Sequence, residues 1–263
     1  MTRQNYYATR RRRQRQEVEA QLVIEHVQEE RQLQPRLGTR KLHHLLRAPL
    51  AQAGVKLGRD RMFEVLRAHA LLVAPRRAEY PCTTDSRHYL PVFTNREKDR
   101  AVTAPHQVWV ADLTYLRTLA GFLYLALVTD KKSRKIVGYH CSETLATRGC
   151  VPALEMALGQ LPAGARPLHH SDRGCQYCSH EYVNQLLAHG LEVSMTEHNH
   201  CAENALAERM NGILKSEYGL GREFATTDQA RRAAEQAVFL YNTRRPHTAL
   251  GYAVPEAMHS LAA

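Results

Sequence analysis

The stretch HHSDRGCQYCS, residues 169–179, carries two kinds of metal chemistry in one line. Cys175 and Cys178 stand at C-x-x-C spacing, and with His198, His200 and Cys201 further on they could close a tetrahedral zinc site. Asp172, at the end of an apolar strand, is instead the kind of oxygen ligand that suits magnesium. The second cluster is crowded as H-x-H-C, where zinc favours a spaced pair. Thiolate and imidazole would select zinc, and that leaves the remaining acids unexplained. Asp112 is the first of them, set in an apolar run from Val108 to Leu116, where a charge is costly unless paired or bound to a metal. A third acid must come from ENALAERMNGILKSEY, which offers Glu203, Glu208 and Glu217. Leu206, Met210, Ile213 and Leu214 mark a buried helical stripe. At about 100° per residue, Glu203 and Glu217 project toward that stripe, and Glu208 lies opposite with Asn204, Asn211 and Lys215. Glu208 is the expected third acid, with 35 residues between it and Asp172. Asp130, ending a strand before KKSRK, is expected in a turn and is the best rival acid. Cys175 and Cys178 then read as small half-buried residues, and His169 and His170 as structural histidines.

Strands and a helix must bring these acids together. The runs QVWVADLTYLRT, GFLYLALVTD and RKIVGYHCSE read as three strands. A helix over 147–160, a fourth strand in RPLHHSD, a helix over 180–189, a fifth strand in LEVSMT and two longer helices follow. This order predicts an α/β fold of the ribonuclease-H-like kind, a mixed five-stranded sheet flanked by helices. With the first and fourth strands as parallel neighbours, Asp112 and Asp172 converge at one sheet edge although 59 residues lie between them.

Charge marks out a second region. The 263-residue chain has a net charge of +10, and residues 1–77 hold 17 Lys and Arg against 7 Asp and Glu, while the rest holds 19 of each. A basic arm on a neutral body predicts a polyanionic partner, nucleic acid first. Within the arm a helix is expected over Glu17–Leu33 on the spacing of Val18, Leu22, Val23 and Val27. Thr39 is expected to cap a helix with Leu42, Leu45 and Leu46 as its stripe, and Asp60 to cap another carrying Met62, Val65 and Leu66. Together they predict a small all-α, helix-turn-helix-like unit with Arg59, Arg61 and Arg67 on or near its second helix as DNA contacts. The expected division is a helical DNA-binding region over 1–75, a Pro- and Thr-rich linker over 76–104 and the catalytic core over 105–263. TRRRRQRQ is not followed by an apolar run, so no export signal is expected. No stretch approaches the ~20 apolar residues of a membrane helix, and the six cysteines are expected as free thiols in a reducing compartment.

WVADLTY, HSDRGCQY, ENALAERMNGILKSEY and YNTRRPHTALGYAVPEA resemble, in this order, the motifs of the DDE transposases of the IS-three insertion-sequence family, relatives of retroviral integrases. The similarity spans about residues 105–258. Two places depart from the family pattern: Glu203-Asn204-Ala205 stands where Asp-Asn-Ala is usual, and Arg209-Met210 where an aromatic pair is usual. The resemblance implies DNA strand cleavage and strand transfer at element ends, with two magnesium ions (manganese as substitute) ~3.5–4 Å apart on Asp112, Asp172 and Glu208. Asp112 would bridge both ions. DNA contacts are implied at Asn204, Lys215, Arg244, Arg245 and His247, the last three flanking Pro246 after a helix that Thr226 and Gln229 cap as a box. The implied partners are the terminal inverted repeats, a target DNA, further copies of this chain and a helix-turn-helix protein from an upstream frame; the implied place is the bacterial cytoplasm, at the nucleoid. An inactive end-binding regulator and a zinc-stabilised nucleic-acid-binding module are the alternatives.

Overall fold

Valines and leucines at helical spacing bury one face of each arm helix. In the computed structural model, which describes residues 3–74, 88–197 and 203–261, the chain divides into units of residues 1–77 and 78–263. The first holds helices α1 (Arg3–Leu33), α2 (Thr39–Gln52) and α3 (Arg59–Ala68). Val23, Val27, Leu37, Leu42, Met62 and Leu66 are fully buried at its centre. α1 starts well before the expected Glu17; residues 3–17 have no apolar stripe for periodicity to detect. Helix-favouring Arg, Gln and Glu carry that part, together with an Arg15–Glu19 pair at 2.9 Å. Val18, expected in the stripe, is 63% exposed. Neither expected cap holds: Gly38 and Gly58 are the N-caps of α2 and α3 and offer no side-chain bond. Thr39 and Asp60 lie inside the helices, and Asp60 turns to Arg59 at 2.8 Å.

The second unit is built on a mixed sheet of strands β1 (Val108–Thr118), β2 (Gly121–Asp130), β3 (Ile136–Ser142), β4 (Leu168–Ser171), β5 (Glu192–Met195) and β6 (Glu223–Phe224). The first three form an antiparallel meander, and β4 and β5 add in parallel, giving the order β3-β2-β1-β4-β5. The short β6, unforeseen in the sequence, pairs with the far end of β1. Because β2 occupies one edge of β1 along its length, β4 and β6 share the other. β4 pairs at Val108–Val110 and β6 at Arg117–Thr118, and between them that edge of β1 has no strand partner. One face of the sheet packs on α4 (Val151–Leu158), α5 (Cys175–Cys178) and α6 (His180–Ala188), through Trp109, Ala111, Leu154 and Tyr182. The other packs on α7 (Ala205–Glu217) and α8 (Thr227–Thr243), through Leu116, Leu125, Met210, Leu214 and Tyr241. A final short helix, α9 (Pro255–Ser260), follows. The Thr226 hydroxyl accepts from Gln229 N at 3.1 Å while Gln229 Oε1 accepts from Ala225 N, so that helix start is boxed nearly as expected. Among the described residues no helix is long and apolar enough to cross a membrane.

Candidate active site

The paired residues of β1 and β4 differ in number by 60, from Val108 with Leu168 to Val110 with His170. Continued two steps, this register sets Asp112 level with Asp172, just past the end of β4. Asp112 projects from the same face as Val110 and Leu116, toward α7. There its Oδ2 accepts from Asn211 Nδ2 at 2.7 Å and its Oδ1 from Leu113 N at 2.9 Å. Desolvation, and next the charge of Asp172, push the half-buried Asp112 carboxyl up to about 7, and Glu208 adds to the rise. The two bonds from Asn211 and Leu113 oppose it. Asp172 and Glu208 thus both bear on the Asp112 carboxyl, Asp172 the more strongly. Among the described residues, however, no group of three His, Cys, Asp or Glu is drawn into ligand geometry. Asp172 Oδ1 accepts from Gly174 N at 3.0 Å, in the tight turn expected after β4.

The other two glutamates are held in the protein. Glu217 takes a two-pronged pair from Arg245, at 2.7 and 2.8 Å, and Glu203 accepts from Asn95 Nδ2 at 2.9 Å. Glu208 is exposed in the first turn of α7. Asp130, the last residue of β2 rather than a turn residue, is fully buried and bonded to His106 N, Ser133 N and the Ser133 hydroxyl. His169 is buried against the Tyr182 hydroxyl at 3.0 Å, its pKa pushed down to about 3 by burial. His170 bonds Ser194 and the Glu203 carbonyl, so both histidines are structural. Cys178 is buried in the core with Met195 Sδ 3.5 Å away, and desolvation raises its thiol to about 11. Cys175 is half-buried; His198, His200 and Cys201 lie outside the described residues.

Several residues expected as phosphate contacts are buried in the fold. Asn204 is 3% exposed and donates from Nδ2 to Ala111 O at 3.1 Å, filling the strand-free edge of β1. Arg245 is 2% exposed and bound to Glu217, and His247 is buried with Nε2 2.9 Å from Arg245. Arg244 is exposed. Lys215 is half-buried, 4.1 Å over the Tyr115 ring, its pKa lowered by burial and supported by the Asp112 charge. Arg59, Arg61 and Arg67 are all exposed on α3, the first two in surface pairs with Asp60 and Glu64. Asn211 was visible in the sequence only as a member of the Glu208 stripe, and its hold on Asp112 was missed. It is buried, with its Oδ1 unpartnered.

Comparison with known proteins gives this geometry a family. Residues 102–201 match the family described as Integrase core domain, and residues 189–255 match a second model of the same description. The chain is 38% identical over 232 residues to the insertion element IS600 uncharacterized 31 kDa protein of Shigella sonnei, covering 86% of this chain and 84% of that one. The chain belongs to the IS3-type DDE transposases. It is also 37% identical over 171 residues to transposase InsF for insertion sequence IS3A of Escherichia coli strain K12, covering 64% of this chain and 59% of that transposase. The simian T-cell lymphotropic virus intasome in complex with PP2A regulatory subunit B56 gamma shares the fold, with a TM-score of 0.52 at 19% identity over 84% of this chain and 74% of that one. Membership bears out the resemblance read from WVADLTY and HSDRGCQY, and with it the integrase-type core. A DDE transposase is a polynucleotidyl transferase, and its substrate is DNA.

Proposed function

We propose that Asp112, Asp172 and Glu208 are the catalytic acids with which this chain cleaves and transfers DNA strands at the ends of an insertion sequence. The observation that carries the reading is the β1–β4 register, which sets Asp112 level with Asp172, beside the helix α7 that carries Glu208 and holds Asp112 through Asn211. Neighbouring carboxylates are relieved of repulsion by a cation, and an all-oxygen donor set suits magnesium, with manganese as its substitute. Two such ions held there would activate a water or a DNA 3′-hydroxyl and steady the leaving oxygen. Asp112 would contribute to both and Asp172 and Glu208 to one each. Asn211 and the Leu113 N–H each fix one oxygen of Asp112, so the central carboxylate is oriented beforehand. Glu208, exposed, would have to turn onto the two aspartates. Lys215, half-buried beside Tyr115, would offer its ammonium to a DNA phosphate.

The helical unit, with Arg59, Arg61 and Arg67 exposed on α3, would bind the terminal inverted repeats while the core engages the scissile phosphate and the target. Two ends must be held together, so several copies would act on one DNA, joined by an upstream-frame helix-turn-helix product, at the bacterial nucleoid. Cleavage of a labelled element end in magnesium tests the reading. Asp112→Asn, Asp172→Asn and Glu208→Gln should each abolish cutting and leave end binding largely intact. Normal cutting by Glu208→Gln would sink the assignment. Wild-type chain that binds ends but never cuts, in magnesium or manganese, would put the inactive regulator in its place.

A further inference from the structure

The run Lys131-Lys132-Ser133-Arg134-Lys135 between β2 and β3 takes no part in the site described above. It walls a cavity of about 470 Å³ into which four cations project, Arg100, Lys131, Lys132 and Arg134, with no acid among the lining side chains. Two of the four are compensated: Arg100 pairs with Glu192 at 3.0 Å and Lys131 with Glu97. Lys132 and Arg134 have no ion-pair partner among the described residues. The nearby Asp130 is already bonded to His106 and Ser133.

Arg134 is the most constrained of the group. Its φ is +66°, in the left-handed region that side chains other than glycine and asparagine rarely adopt. Tyr241 donates to its carbonyl at 3.0 Å and its own N–H donates to Asp130 O at 2.9 Å, which holds the backbone there. The side chain is half-buried, and desolvation lowers its pKa. A strained position carrying a partly desolvated cation that has no ion-pair partner among the described residues, its charge partly offset by Tyr241 and Asp130, weakens the fold in two ways at once, a pattern that marks functional positions.

The cavity adjoins the face that carries Asp112. Val102, one of its walls, packs on Val108 and Val110, the neighbours of Asp112 on that face of β1, and Lys131 N donates to Val108 O at 2.9 Å. From Val108 to Asp112 is about 13 Å of strand at ~3.3 Å per residue, or about four base steps of DNA at ~3.4 Å. The apolar walls, Val102, Leu250 and Met258, keep the local dielectric low and so strengthen an ion contact.

We propose that this cavity is a second DNA site of the core, in which Lys132 and Arg134 grip a backbone phosphate several nucleotides from the one that is cut. The inference rests on the transposase reading, and its test is separable from that of the acids. Affinity of the full chain for a labelled duplex is measured across salt concentrations for wild type, Lys132→Gln/Arg134→Gln, Arg134→Gly and Asp112→Asn. The double variant should bind about tenfold more weakly at low salt, with a salt slope shallower by ~0.9 to 1.8, as one or two phosphates go unneutralised. Arg134→Gly should lose up to ~0.9 of slope and melt at or above the wild-type temperature, because glycine relieves the backbone. Asp112→Asn should keep the wild-type slope while losing cleavage. Folded double variant with wild-type slope and affinity overturns the proposal, as does an Arg134→Gly that melts lower yet binds normally. A shallower slope in the double variant, alongside wild-type chain that cuts nothing, supports the cavity and rejects the catalytic reading.

Discussion

Three glutamates on and just before one helix show how a partner decides what a carboxylate does. Helical angle separates Glu208 from Glu203 and Glu217 in the sequence, because the face of a helix is fixed by its period alone. The structure gives Glu217 to Arg245 and Glu203 to Asn95, leaving Glu208 exposed near Asp112. Breaking the largely buried Glu217–Arg245 pair leaves an uncompensated charge at a residue 2% exposed. Glu217→Gln should therefore lose about 3 kcal/mol of stability, measured by denaturant melts. Glu208→Gln should change stability by less than ~0.5 kcal/mol and lose cleavage. If the two variants melt alike, Glu208 is as structural as Glu217 and the division fails. Asn204, Arg245 and His247, expected as DNA contacts, are buried for a reason that no local pattern shows. Their burial depends on partners distant in sequence, Ala111 lying 93 positions from Asn204 and Glu217 lying 28 from Arg245.

At the scale of elements, the three-strand meander, the parallel β1–β4 pairing and the two closing helices were legible, since each is a long run with a clear period. β6 was not, because two residues cannot display alternation, and neither was the one-turn α5. The glycine caps of α2 and α3 escaped notice because a backbone-only cap leaves no polar side chain to read. The site occupies the place where β4 has left β1 and β6 has not yet joined it, so a carboxylate there escapes the ladder on one side. Its support from the opposite face depends on how closely α4 lies on β3. Gly138 sets that approach: a Cβ there would overlap the Ala153 carbonyl and come within 3.1 Å of Ala157 Cβ. Gly138→Ala should cost ~1–3 kcal/mol as overpacking and reduce cleavage in proportion to the fraction unfolded. A stability equal to wild type would show that α4 can shift outward without loss.

At the scale of the molecule, charge and chemistry are divided between the two units. Residues 1–77 carry the whole excess of +10, and residues 78–263, which balance to zero, carry all three acids. A neutral core still meets a polyanion if its cations are gathered, as Lys132 and Arg134 are at the cavity and Lys215 is beside Asp112. Each phosphate neutralised adds ~0.9 to the salt slope of binding, so the slope counts contacts and the net charge does not. Chain lacking residues 1–77 retains two sizeable hydrophobic clusters on the faces of its sheet and is expected to fold. It should bind an element end more weakly and with a much shallower slope, yet one still above zero, from the core cations. Titrations across salt concentrations on both lengths measure this. A slope unchanged by the truncation would assign the phosphate contacts to the core and leave Arg59, Arg61 and Arg67 as a solvated face. A slope falling to zero would instead confine binding to the arm and remove the core from DNA until catalysis.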